Sequence, residues 1–190
     1  MSTHPRPVSV WNIANAITVA RIALIPLFVY IVVQSGMDDA KLQIIATAVF
    51  LIASLTDFLD GWLARSRGLV TSFGKLADPI ADKALIGAAL ILFSFYEVLP
   101  WWVTVIILVR ELGITGLRMA VLRHAVIPAG SGGKAKTVFQ ISAVAWYLFP
   151  WPEPIDMLGP ILMAIAFVLT VFTGLDYLWK AWKVSGRNVG

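Results

Sequence analysis

Six apolar runs of helical length, separated by short polar or proline-rich connections, leave this chain few ways to fold. Of its 190 residues 59% are hydrophobic and only 14% charged, and the mean hydropathy is +0.83. That composition leaves too little polar surface for a water-soluble domain. In lipid every backbone N–H and C=O must find its partner within the protein, and uninterrupted helices meet that demand. The sequence therefore predicts an all-α integral membrane protein, with residues 1–190 forming one membrane domain.

The expected spans cover about 16–33, 41–64, 78–95, 101–122, 138–149 and 157–179. Ahead of them, residues 8–15 place Trp11 and Ile13 among polar neighbours, which predicts a short amphipathic helix on the membrane surface. No small-residue cleavage site follows the first apolar run, so no cleaved signal peptide is expected. In the first span Asn15, Thr18 and Arg21 recur every three residues as a polar stripe that should face protein, and Pro26 should kink the helix. Asp78 followed by Pro79 reads as a helix N-cap with proline at the first helical position. Trp101 and Trp102 suit a membrane interface, and Pro150, Trp151, Pro152 and Pro154 form a turn before the last span.

Charge orients these spans. One set of ends carries Arg6, then Arg65, Arg67 and Lys75, then Arg123, Lys134 and Lys136, then Lys180, Lys183 and Arg187. The other carries Asp38, Asp39, Lys41, Glu97, Glu153 and Asp156. Basic loops stay inside, so both termini are expected in the cytoplasm, as in a bacterial inner-membrane protein. The net charge of +4 is spread between apolar segments and forms no basic run. It fits loop charges against anionic lipid and not a nucleic-acid partner.

Against this apolar background, Asp57, Asp60, Asp78 and Asp82 stand out. A carboxylate at the centre of a transmembrane helix costs about 2.5–3.5 kcal/mol on insertion scales, so a group of four marks a site. Asp57 and Asp60 are three apart and Asp78 and Asp82 four apart, so each pair shares one face of its helix. A second span of about 36 Å exceeds the roughly 30 Å hydrocarbon core, which puts Asp57 and Asp60 within reach of the headgroups. The chain has no cysteine and only His4 and His124, so a zinc centre is excluded and any metal must be held by oxygen. Four carboxylates suit magnesium or manganese, and two such ions can stabilise both the attacking and the leaving oxygen of a phosphoryl displacement. Arg65 could grip the same phosphates, and Gly61, Ala64 and Gly74 would let a bulky group approach the backbone, although small residues also serve helix packing.

Asp57, two residues, Asp60, Gly61, two residues, Ala64, Arg65, eight residues, Gly74, three residues, Asp78, three residues and Asp82 resemble, without a departure, the signature of the CDP-alcohol phosphotransferases. The resemblance implies an N-terminal surface helix plus six transmembrane helices, often dimeric. It implies that an alcohol attacks the lipid-bearing phosphate of a CDP-linked donor and that CMP leaves. Asp57, Asp60 and Asp78 would then ligate metal, and Asp82 would add ligation or take the proton from the attacking hydroxyl. Gly61, Ala64, Arg65 and Gly74 would line the cytidine diphosphate site.

The region from Arg110 to Gln140 and the opening from Asn12 to Pro26 resemble the phosphatidylglycerophosphate synthase branch of that family. The implied donor is CDP-diacylglycerol and the implied acceptor glycerol 3-phosphate. An anionic acceptor needs fixed positive charge, for which Arg110, Arg118, Lys134 and Lys136 are the candidates. Plain loop charge accounts for Lys134 and Lys136 but poorly for Arg110 and Arg118 inside a span. Inositol phosphate and phosphatidylglycerol remain alternative acceptors. A cation transporter, the reading from another class, gives the fixed Gly, Ala and Arg positions no role. GSGGKA at residues 130–135 lacks the length and the Ser or Thr of a nucleotide-binding P-loop. Glu111 and Asp176 are expected to pair with a nearby arginine or lysine; Glu111 follows Arg110 directly, though on a different helix face.

Overall fold

The computed structural model describes residues 13–66, 71–121 and 132–185, with the side chains of 14, 58–66, 72–79, 118–121, 132–134, 181 and 183–185 excepted. Among the described residues there are six α-helices and one 3-10 turn, and no strand. They are α1 (Ile13–Ser35), α2 (Ala40–Ser66), α3 (Ser72–Phe95), α4 (Trp101–Val121), α5 (Gly132–Leu148) and α6 (Leu158–Ser185), with the 3-10 turn Ile155–Met157 before α6.

Local chemistry sets the turns. After α1, Gly36 and Met37 take φ values of +57° and +63°, a conformation that glycine enters freely. Asp39 then caps α2, its Oδ1 accepting from the backbone N–H of Lys41 at 2.8 Å and of Leu42 at 3.1 Å. Pro100 directly precedes α4, and the prolines at 150, 152 and 154 stop α5 from running on. Pro160 is tolerated because it lies in the first turn of α6.

Three boundaries differ from the sequence expectation. α3 begins at Ser72 rather than Asp78, so Pro79 lies inside the helix and Asp78 is not its N-cap. Neighbouring helices can satisfy the carbonyl that such a proline frees. α5 begins at Gly132 rather than 138, which places Lys134 and Lys136 on the helix instead of in a connection. Residues 13–15 belong to α1, and the remainder of the expected surface helix, 8–12, lies outside the described residues. Helix α1 continues through Pro26.

α1 packs chiefly on α2 and α3, α5 on α6, and α4 bridges α3 to α6. Phe28 and Val32 of α1, Phe50 of α2, Leu90 and Phe93 of α3, Ile107 of α4 and Val144 and Leu148 of α5 form one buried apolar core. Polar contacts divide the bundle into two ends. At one, Tyr96 donates to the Val33 carbonyl at 3.3 Å and Ser94 shares a hydrogen bond with Thr104 at 2.7 Å. At the other, the beginnings of α1, α3 and α5 meet the later parts of α2, α4 and α6. The outer surface is apolar, with Tyr30, Leu55, Val109, Val168, Phe172 and Trp182 exposed, as expected where the solvent is lipid. Among the described residues three segments, Asn15–Ser35, Ala40–Asp57 and Ile155–Lys180, are long and apolar enough to cross a membrane.

Candidate active site

The acidic motif straddles the connection between α2 and α3. Asp57, Asp60, Gly61, Ala64 and Arg65 occupy the last turns of α2, and Gly74, Asp78 and Asp82 the first turns of α3. Of these, Asp57 and Asp82 have described side chains. Asp57 forms an ion pair with Arg21 of α1. The Arg21 side chain is only 1% exposed, whereas that of Asp57 is 38% exposed. A buried guanidinium needs a partner, and this one joins α1 to the acidic motif. Asn15, two turns earlier on the same stripe, accepts a hydrogen bond from Thr71 at 2.9 Å, just ahead of α3. The stripe faces protein, as its spacing predicts.

Next to Asp82 lies a second group of charges, centred on Glu111 of α4. Its Oε2 receives Lys83 of α3 at 2.7 Å, and its Oε1 receives Arg110 at 2.8 Å together with Lys136 of α5. Lys83 also touches Asp82 Oδ2, at 3.1 Å. Arg110 donates from its other terminal nitrogen to Thr173 Oγ1 of α6 at 2.6 Å. One carboxylate thus ties α3, α4 and α5 together, and Arg110 extends the group to α6. Exposure grades across the group: the side chains of Lys136 and Glu111 are 5% and 7% exposed, and those of Arg110 and Lys83 17% and 23%. Three cations against the carboxylates of Glu111 and Asp82 give these five side chains a net charge of +1.

Gly174 makes room for this arrangement, because a Cβ there would stand 2.9 Å from Arg110 Cγ and 3.0 Å from its Nε. Gly87 likewise allows α3 and α4 to approach, since its Cβ would meet Leu108 at 3.2 Å. Between these helices and α5, Lys83, Glu111 and Gln140 line a cavity of about 20 Å³. That is room for one water molecule, which needs roughly 10–15 Å³. Gln140 is buried, and its amide nitrogen has no hydrogen-bond partner among the described residues.

The candidate residues therefore fall into two adjacent groups. Asp82 lies where they meet, through its contact with Lys83. Arg110 and Lys136, expected to bind an acceptor phosphate, are both held by Glu111. Arg118 and Lys134 lie on α4 and α5, with side chains outside the described ones. Among the described side chains, to which Asp60 and Asp78 do not belong, no three His, Asp or Glu lie together to hold a metal ion. The four carboxylates at the α2–α3 connection are hard oxygen donors that fit magnesium or manganese. Sequence reasoning did not single out Lys83, Thr173 or Gly174. Lys83 was discoverable as the basic neighbour of Asp82, whereas nothing local to Thr173 or Gly174 signals Arg110. The expected pairing of Glu111 and Asp176 with basic partners holds, the latter bonding Lys180 at 2.6 Å.

Comparison with known proteins places this site in a family. A family model for CDP-alcohol phosphatidyltransferases matches residues 11–172. A probable phosphatidylglycerophosphate synthase of Mycobacterium tuberculosis is 46% identical over 175 residues, 92% of this chain and 84% of the relative. The CDP-diacylglycerol–glycerol-3-phosphate 3-phosphatidyltransferase of Bacillus subtilis is 38% identical over 187 residues, 91% of this chain and 96% of the relative. That of Rickettsia bellii is 36% identical over 180 residues, covering 90% and 96% respectively. The α2–α3 motif, the basic group beside it and these matches agree: the chain belongs to the CDP-alcohol phosphatidyltransferase family.

Proposed function

We propose that this protein transfers the phosphatidyl group of CDP-diacylglycerol to glycerol 3-phosphate, giving phosphatidylglycerophosphate and CMP. The observation that carries the reading is the contact of Asp82 with Lys83, which sets a carboxylate of the family motif against a basic group of the kind an anionic acceptor needs. The names of relatives 36–46% identical to this chain support the same donor and acceptor.

In this reading the donor's cytidine diphosphate lies along Gly61, Ala64, Arg65 and Gly74. The acceptor's phosphate is drawn by the basic group of Arg110, Arg118, Lys134 and Lys136. Asp82 takes the proton from the acceptor hydroxyl, whose oxygen forms a bond to the lipid-bearing phosphorus as the bond to CMP breaks. Asp57, Asp60, Asp78 and Asp82 would hold two magnesium or manganese ions, which when bound neutralise charge on the diphosphate. Arg21 orients Asp57 from α1, and the carboxylate remains partly exposed. The same reading has six membrane crossings, an N-terminal surface helix, both termini and the site at the cytoplasmic face of the inner membrane, and a homodimer. The charge pattern of the sequence supports the placement of the site, because its basic residues fall in the connections expected to stay inside.

Purified protein in mixed micelles, given CDP-diacylglycerol and one acceptor at a time, tests the reading. CMP release with glycerol 3-phosphate is expected. Release with inositol phosphate or phosphatidylglycerol alone would reassign the acceptor.

A further inference from the structure

We infer that Glu111 is a positioning residue for the acceptor half of the site, holding Lys83 against Asp82 while it gathers Arg110 and Lys136 behind them. The inference rests on the proposed transfer to an anionic acceptor. It adds two residues, Lys83 and Glu111, that neither the motif nor the composition of the basic loops assigns.

The geometry separates the cations by depth. Lys136 is nearly enclosed and Arg110 is committed at both ends, to Glu111 and to Thr173. Lys83 is the most open of the three, and its ammonium lies between Glu111 Oε2 and Asp82 Oδ2 at 2.7 and 3.1 Å. A flexible lysine stem does not hold such a bridge unaided. Glu111 fixes it, because Oε1 is saturated by Arg110 and Lys136 and Oε2 is thereby turned towards α3. The carboxylate also offsets the mutual repulsion of three cations drawn from α3, α4 and α5. An acceptor whose phosphate meets Lys83 brings its hydroxyl towards the neighbouring Asp82, so Glu111 acts on the acceptor without touching it.

Glu111→Gln keeps the size of the side chain and removes its charge. The predicted result is a rise of about tenfold or more in the KM for glycerol 3-phosphate, with the KM for CDP-diacylglycerol within about twofold of its original value. Glu111→Asp should recover part of the loss. A purely structural role would lower the melting temperature and the amount of active enzyme while leaving both KM values in place, and that outcome overturns the inference, as does an equal change in both. Should Glu111→Gln not fold, Lys83→Gln, which leaves Arg110 and Lys136 on Glu111, gives the same KM comparison with the same two outcomes. If the unaltered enzyme turns over a different anionic acceptor, the proposed function fails. The positioning role is then decided by the same ratio measured for that acceptor.

Discussion

Gly174→Ala is a one-carbon change on α6 whose consequences can be worked out from the structure. The new Cβ would stand 2.9 Å from Arg110 Cγ and 3.0 Å from Nε. Carbon atoms settle about 3.5–4.0 Å apart, so the arginine stem must retreat by roughly 0.5 Å or more. Cγ lies close to the α4 backbone, and it moves only if the side chain leaves its rotamer, at about 0.5–1.5 kcal/mol, or releases a partner. The partners are Thr173 at 2.6 Å and Glu111 at 2.8 Å. A hydrogen bond to a charged group contributes about 1.5–3 kcal/mol. With partial compensation by solvent at the exposed edge of Arg110, a net loss of about 2 kcal/mol is reasonable, or roughly 30-fold in an equilibrium. Alanine favours the helix over glycine by about 1 kcal/mol, which offsets part of this in overall stability. The expected signature is therefore a KM for glycerol 3-phosphate raised by roughly 10–30-fold, with the melting temperature lowered by only about 2–4 °C for the remaining ~1 kcal/mol. In an Arg110→Ala background the clash is gone, and Gly174→Ala should raise the melting temperature. Gly113→Ala, with nothing within 4 Å of its added Cβ, is the control and should leave the KM unchanged. An unaltered acceptor KM in Gly174→Ala, or the same melting shift in both backgrounds, would refute the packing account.

Asp82→Asn should abolish turnover while CDP-diacylglycerol still binds; near-normal turnover removes Asp82 as the base. Arg21→Met removes the ion pair with Asp57, and because Asp57 is partly exposed the cost should be about 1–2 kcal/mol rather than the 3–5 of a fully buried pair, seen as a lower melting temperature. No change in melting temperature would mark the pair as energetically idle. Asp39→Ala removes the α2 cap at the other end of the bundle and should lower stability by about 1 kcal/mol, with both KM values unaltered in a turnover assay. Chelation with EDTA should stop CMP release, and magnesium or manganese should restore it; turnover that persists through chelation contradicts the proposed metal role.

Much of the fold was legible because helices in an apolar chain announce themselves by length and hydropathy. The errors fell where polar residues hide a helix. At α5, Gly132 to Thr137 reads as loop by composition, yet Lys136 belongs inside because Glu111 of another helix receives it. At α3, Asp78–Pro79 imitates a helix start, and only the tertiary setting allows the helix to begin at Ser72 and pass through the proline. The acidic motif was readable because its spacing is local. The Glu111 group was not, since its members come from residues 83, 110, 111, 136 and 173, which no sequence period links. What the sequence did carry was the cost of an intramembrane acid, which pointed to a basic partner without naming three.

The most direct test of the transfer reaction is a stoichiometric one, with both products of a single incubation of CDP-diacylglycerol and glycerol 3-phosphate quantified by mass spectrometry. Attack at the lipid-bearing phosphorus predicts CMP and phosphatidylglycerophosphate in equal amounts, neither formed when glycerol 3-phosphate is omitted. Phosphatidate in place of phosphatidylglycerophosphate, or CMP released without the acceptor, would contradict it.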